Sequence, residues 1–197
     1  MIDVDVLAEL CAITKDRAAL RAERYEQTFL SMRRWLPKTP VLNFLDIGCG
    51  TGGVAIWVAR HYPEASTHLI DGAAWGEKFS WRDDGTPWAD VGLALQLFKK
   101  HLPNRYVKAW PASPRRPAIP KCDLIYSNCS WGHHYPIRTY LELVKKTLRP
   151  GGTLIVDIRE GSSGHGELSQ FFTPITIIDV LGKKYLRTVW RGKGSSL

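Results

Sequence analysis

Val41-Leu42-Asn43-Phe44-Leu45-Asp46-Ile47-Gly48-Cys49-Gly50-Thr51-Gly52-Gly53 decides the fold. Val41 to Asp46 is a short, mostly apolar strand that runs straight into a glycine cluster. Gly53 to Tyr62 then reads as a helix, stopped by Pro63. Glycines between a strand and a helix let the backbone turn sharply and approach a ligand with no Cβ in the way. The spacing is Gly-x-Gly-x-Gly with an acid ahead of it, which differs from the Gly-x-Gly-x-x-Gly of dinucleotide binders. Taken alone, such a turn also serves merely to pack a strand on a helix.

The same alternation continues downstream. Thr67–Asp71 reads as a second strand. Thr86 caps a helix with Pro87 at its first position and a stripe of Trp88, Val91, Leu95, Phe98 and Leu102. Strands follow at Arg105–Trp110, Cys122–Asn128 and Thr153–Ile158. Between the last two, Pro136 opens a helix that buries Ile137, Leu141, Val144 and Leu148 and is closed by Pro150-Gly151-Gly152. Ile175–Val180 and Tyr185–Arg191 are joined by Leu181-Gly182-Lys183-Lys184, too short for a crossover helix, so they form an antiparallel hairpin. The expectation is an α/β fold: a Rossmann-like, seven-stranded, mostly parallel sheet with helices on both faces. Upstream, residues 1–40 read as a helical cap ahead of a domain at 41–197. Val6, Leu7 and Leu10 fit one short helix with Asp3 and Asp5 at its N-terminus. Thr14 caps a second, whose buried stripe is Ala18, Ala22, Tyr25, Phe29 and Met32.

Composition narrows the class. The chain has 197 residues, 44% hydrophobic and 23% charged, which is ordinary globular usage and enough for one domain. No apolar run approaches the ~20 residues needed to span a bilayer. Cys11, Cys49, Cys122 and Cys129 contain no C-x-x-C pair and read as reduced, buried thiols of a cytoplasmic protein. No spacing of acids and histidines suggests a metal-ligand set. Lys and Arg total 27 against 19 acids, a formal charge of +8, which permits an anionic partner.

Chemistry-bearing residues gather at the strand ends. Asp71 ends the second strand, beside the crevice where open α/β sheets bind ligands. A carboxylate there can accept both hydroxyls of a ribose, or simply cap a turn. The fourth strand runs into Ser127-Asn128-Cys129-Ser130-Trp131-Gly132-His133-His134-Tyr135-Pro136. Arg159, Glu160 and His165 follow the fifth strand in a Gly/Ser-rich loop that either covers substrate or is solvated surface. Arg17, Arg21 and Arg24 share one helix face, and residues 183–193 are basic; phosphate binding needs such patches, though a charge stripe also serves as a solvated face.

Together the Asp46–Gly52 motif, Asp71, the Asp123–Asn128 strand, the Leu148-Arg149-Pro150-Gly151-Gly152 turn and the closing hairpin resemble the class I S-adenosylmethionine-dependent methyltransferases. The resemblance covers about residues 41–191. It implies S-adenosyl-L-methionine as cofactor, and a last strand inserted antiparallel between the fifth and sixth. It also implies that Gly48, Gly50 and Gly52 wrap the methionine portion, with Asp46 near its amino group, and that Asp71 holds the ribose, flanked by Gly72. Asn128 lies at the cofactor end of the fourth strand. The family often has an acid after the third strand for the adenine amine. Here Trp110-Pro111-Ala112-Ser113 stands instead, so that contact comes from Ser113, a backbone carbonyl or a group elsewhere. Trp75 lies against the adenine or anchors its loop.

The stretch after the fourth strand departs from the Asn/Asp-Pro-Pro-Tyr/Phe signature of enzymes that methylate base amines. Ser130-Trp131-Gly132-x-His134-Tyr135-Pro136 is instead similar to a stretch in sugar O-methyltransferases. That similarity makes His134 the candidate base and His133 the variable position; Trp131 and Tyr135 of the same stretch, and Arg159 of the loop after the fifth strand, are the candidate substrate contacts. The alternative is that His134 simply caps the helix opened by Pro136 or bonds a backbone carbonyl. The expectation is O-methylation of a small hydroxylated acceptor. The alternatives are a nucleic acid as acceptor, and a cofactor-binding subunit without catalysis.

Overall fold

The computed structural model describes residues 1–72, 91–112, 118–178 and 184–193. The sheet is built from β1 (Asn43–Ile47), β2 (Ser66–Asp71), β3 (Val107–Pro111), β4 (Cys122–Ser127), β5 (Leu148–Arg159), β6 (Phe172–Ile178) and β7 (Tyr185–Gly192). Its order is β3-β2-β1-β4-β5-β7-β6. β7 runs antiparallel to both neighbours, while β1 to β5 pair in parallel. The short β6–β7 connection dictates that reversal, and the inserted antiparallel strand matches the expectation. The order turns back on itself between β1 and β4, so the crevice at their carboxyl ends is where a ligand fits.

Helices α1 (Val4–Cys11), α2 (Lys15–Met32), α3 (Gly53–His61), α4 (Val91–His101), α5 (Leu141–Thr147) and α6 (Gly164–Ser169) flank the sheet. Thr14 Oγ1 accepts from Arg17 N–H at 3.4 Å, the N-cap as read, and Asp3, read only as a favourable N-terminal charge, also caps α1, its Oδ1 accepting from the Asp5 and Val6 amides at 2.9 and 3.2 Å. Ala18, Ala22, Phe29 and Met32 are buried. α1 and α2 share one apolar cluster with Ile56 and Ala59 of α3 and Leu93, Leu97 and Phe98 of α4. A second cluster lies under β1, β4 and β5 on the α2–α3 side, and a third packs α5 and α6 on the other face. Among the described residues no helix is long and apolar enough to cross a membrane.

Two elements depart from the sequence reading. The helix expected from Pro136 is split: Ile137–Thr139 form a single tight turn and α5 begins at Leu141. Leu148, expected on that helix, already pairs with Cys122 as the first residue of β5. Pro150-Gly151-Gly152 therefore does not close a helix. It forms an irregularity inside β5, where Pro150 has no N–H to give the ladder and Gly151 takes a left-handed φ of 73°. The Gly/Ser-rich loop after β5 contains α6, whose Leu168 is fully buried and whose Glu167 carboxylate accepts from Ser163 Oγ. The helix at Thr86–Trp88 and the turn at 181–183 lie outside the described residues.

Candidate active site

The glycine loop is tied down first by its own backbone. Gly48 and Cys49 N–H both donate to Ile70 O, at 2.7 and 3.1 Å, and Gly52 N–H donates to Cys49 O at 2.9 Å. Gly48, Gly50 and Gly52 have φ of 75°, 56° and 78°, a region in which a side chain is strained. Gly52 is the left-handed N-cap of α3. Asp71 reaches back over this loop: one carboxylate oxygen accepts from Gly50 N–H and the other from Gly72 N–H at 2.6 Å. From α2, Tyr25 OH bonds Thr51 Oγ1, and the Tyr25 ring fills the space a Cβ on Gly53 would need. The N-terminal helices thus form one wall of the loop.

Asp46 lies beneath the loop, 2% exposed. Burial first, and then the carboxylate of Asp71, push its carboxyl well above the ordinary carboxylate range. A cation bound there would relieve both causes.

The exit of β4 is a compact turn rather than an extended strand end. Ser130 O accepts from the amides of His133, His134 and Tyr135 at 3.2, 2.8 and 3.0 Å. Adjacent histidines on an extended strand would point apart. On this turn their rings meet edge to face at 4.5 Å, and His133 also meets the Tyr185 ring at 5.5 Å. Burial and the charge of Arg159 hold both imidazoles below their ordinary pKa; His134 adds to the effect on His133, against an opposing pull from Asp157. The turn presses on its neighbours. The Ser130 side chain occupies the space a Cβ on Gly48 would take, and a Cβ on Gly132, whose φ is 90°, would come within 2.8 Å of Asp157 O. Gly48 therefore serves here as the close contact between the glycine loop and the β4 turn.

Behind the turn stands an ion pair that the sequence reading passes over. Arg187 Nε donates to Asp157 Oδ1 at 2.7 Å and Nη2 donates to Oδ2 at 2.9 Å, with Arg187 2% exposed and Asp157 fully buried. The β5–β7 register sets these two residues opposite each other. Nη2 also donates to Asn128 Oδ1 at 2.9 Å and Nη1 to Ser31 Oγ of α2 at 2.7 Å. Removing one member of such a pair costs about 3–5 kcal/mol because the other charge stays buried. Burial, and next the Asp157 carboxylate, push the neighbouring Cys129 thiol up to about 12.

Several expected roles move accordingly. Trp131 is a core residue and not a substrate contact: it is fully buried, its N–H donates to Ser127 Oγ at 3.0 Å and its indole N–H to Ile137 O at 2.6 Å. Asn128 is engaged with Arg187 through its carbonyl oxygen. Tyr135 and Arg159 are exposed beside the histidine pair, Arg159 N–H donating to Gly132 O at 3.0 Å. His165 lies on the Trp190 ring at 4.7 Å, away in α6. Arg21 is 5% exposed, so Arg17, Arg21 and Arg24 do not make one solvated row. Trp75 and Ser113 lie outside the described residues.

A family described as a methyltransferase domain matches residues 10–191. The chain belongs to this methyltransferase family. Its members use S-adenosylmethionine (SAM) as methyl donor. A curated relative, ribosomal RNA large subunit methyltransferase G of Shewanella amazonensis, is 24% identical over 156 residues. The match takes in 75% of this chain and 37% of that protein, so the chain spans well under half of the relative's length. Among solved structures, magnesium protoporphyrin IX methyltransferase from Synechocystis with bound SAM is similar at TM-score 0.58 and 14% identity, covering 91% of this chain and 83% of that one. Human N-acetylserotonin methyltransferase in complex with SAM is similar at TM-score 0.57 and 14% identity, covering 91% and 55%. At these identities the likeness is one of fold.

Proposed function

We propose that this methyltransferase-family chain binds S-adenosylmethionine in the crevice between Asp46 and Asp71 and moves its methyl group to a hydroxyl of a small acceptor. The site suits that cofactor. Gly48, Gly50 and Gly52 leave a backbone cradle without side chains, and Asp46 carries an uncompensated tendency to take up positive charge. In this reading Asp46 faces the ammonium of the methionine portion, and Asp71 and Gly72 lie beside the ribose. When bound, the cofactor supplies a methyl group activated by a positively charged sulfur.

One observation carries the choice of acceptor: His133 and His134 stand together on the turn that abuts the glycine loop, both held below their ordinary pKa. Neutral imidazoles are ready to accept a proton at physiological pH. A hydroxyl acceptor benefits from such a base, whereas an amine need only be neutral. His134, the more exposed ring, takes the hydroxyl proton at a ring nitrogen. His133 packs beneath it against Tyr185, and Tyr135 and Arg159 line the rim where the acceptor enters.

The test is transfer of labelled methyl from SAM into small-metabolite, RNA and DNA fractions of a cell extract. Label is expected in the metabolite fraction. His134→Ala is expected to lower kcat by about 10²–10⁴-fold with SAM affinity nearly intact. Because the imidazole titrates below its ordinary value of about 6.5, log kcat should rise with pH only below that value and stay flat above it. That acid limb should vanish in His134→Ala.

The ribosomal RNA methyltransferase among the relatives, together with the formal charge of +8, supports a second reading with RNA as acceptor. Binding would then weaken steeply with salt, with a log–log slope of roughly −0.7 per phosphate neutralised on a single strand. Label in the RNA fraction, with binding to short RNA lost in Arg17→Ala and Arg24→Ala, would favour it over the small acceptor.

A further inference from the structure

We infer that the buried Arg187–Asp157 pair is a positioning device: it fixes the β4-exit turn, and with it His133 and His134, against the glycine loop. The inference rests on the methyl-transfer reading above, and nothing in the family assignment requires it.

A guanidinium with four short contacts is a geometric part. Its fork meets both oxygens of Asp157 on β5, the Asn128 carbonyl at the exit of β4 and the Ser31 hydroxyl on α2, at 2.7–2.9 Å, and its own backbone belongs to β7. Four elements are thereby held in one plane of donors. From Asp157 the restraint passes into the turn: Oδ2 accepts from Cys129 N–H at 3.1 Å. Cys129 has a left-handed φ of 50°, a conformation that a non-glycine residue keeps only when its surroundings impose it. The next residue is Ser130, whose side chain presses on Gly48 and whose carbonyl gathers the three amides of His133, His134 and Tyr135. The chain of contact from Arg187 to the two imidazoles is continuous.

Stability alone does not account for the pair. A buried ion pair can be replaced by apolar residues of similar volume with little or no loss of stability. What such residues could not supply is the direction of the turn. In-line transfer tolerates little misplacement, and an error of about 1 Å costs on the order of 10²-fold in rate. Arg187 touches neither of the proposed reacting groups, so it is a positioning residue.

The experiment compares Arg187→Met/Asp157→Leu, which removes the pair as a unit, with Arg187→Lys, which keeps the charge but loses the fork. Four quantities are read: the thermal melt, SAM affinity by calorimetry, amide hydrogen exchange by NMR, and labelled-methyl transfer into the small-metabolite fraction. The double variant is expected to melt cooperatively and to bind SAM within about 3-fold of wild type. Exchange at Cys129 and His134 should be at least 10-fold faster, with Gly52 and Ile56 unchanged, and transfer should fall by on the order of 10²-fold. Arg187→Lys should fold and still fail to restore transfer.

A folded double variant with wild-type exchange at Cys129 and His134 would overturn the inference. So would exchange that rises equally at Gly52, or wild-type transfer in either folded variant. If the double variant does not fold, Arg187→Lys decides by the same criteria. If wild type itself transfers no label, the methyl-transfer reading fails, and exchange in the variants still decides whether the pair holds the turn.

Discussion

Asp46 near the end of β1 and Asp157 near the end of β5 are both buried, 2% and 0% exposed, at the same edge of the sheet. Their surroundings are opposite. Asp157 has a counter-ion built into β7 and gives its oxygens to Arg187 and to the Cys129 amide. Asp46 makes no ion pair among the described residues, and what acts on it, burial and a second carboxylate, disfavours its charge. In the readings proposed above, the difference gives the two acids different work. A carboxylate whose charge is met by the fold is scaffolding for the turn beside it. In the proposed reading, Asp46, whose charge is met by no ion pair among the described residues, takes a cation that arrives with the ligand, and SAM carries one on its amino group and one on its sulfur.

That comparison can be broken by substitution, starting with the largest effect. Asp157→Ala leaves Arg187 charged and buried, and should destabilise the protein by about 3–5 kcal/mol in chemical denaturation. Asp71→Ala removes a carboxylate from the proposed ribose contact and should weaken SAM binding by on the order of 1.5–3 kcal/mol, about 10- to 150-fold, in calorimetry on the folded variant. Asp46→Asn should act with the opposite sign on the unliganded protein, raising Tm by about 2–4 °C, the equivalent of about 1 kcal/mol. The pH dependence follows from the raised carboxyl. Stability associated with Asp46 is complete below its unfolded pKa of about 3.8 and is lost as pH rises through its higher folded value. The advantage of Asn should therefore be absent near pH 4 and grow toward neutrality. Equal effects of Asp46→Asn and Asp157→Asn on stability would erase the distinction between the two sites.

How much of this was legible in the sequence differs by region. The glycine loop was readable because three glycines between a strand and a helix need positive φ, and Gly48, Gly50 and Gly52 all have it. The antiparallel pairing of the last two strands followed from a connection too short for a helix, and the insertion of the last strand from the family resemblance. The β4 turn was readable as a site and misread in detail. Trp131 has the composition of a ligand contact, but nothing in its neighbours reveals that its indole turns inward to Ile137. Adjacent histidines were expected apart, and three amides folded onto one carbonyl bring them together. Pro150-Gly151-Gly152 is a helix stop by local rule, and the β4–β5 ladder overrides it. Asp157 left a signal, an acid between Val156 and Ile158, whereas Arg187 shares its strand with Arg191 and does not stand out. Their pairing depends on the register of β5 against β7, and local spacing carries no register between strands so far apart in the chain.

The most direct test of the account is calorimetric titration of the protein with SAM at pH values from 5 to 8, in two buffers of different ionisation heat. Ligand cation and proton compete for the same buried carboxylate in this account. Wild type should bind SAM and release protons over the part of that range in which the raised Asp46 carboxyl is protonated, and the release should disappear in Asp46→Asn. Binding with identical proton release in wild type and Asp46→Asn, or no binding of SAM at all, would contradict it.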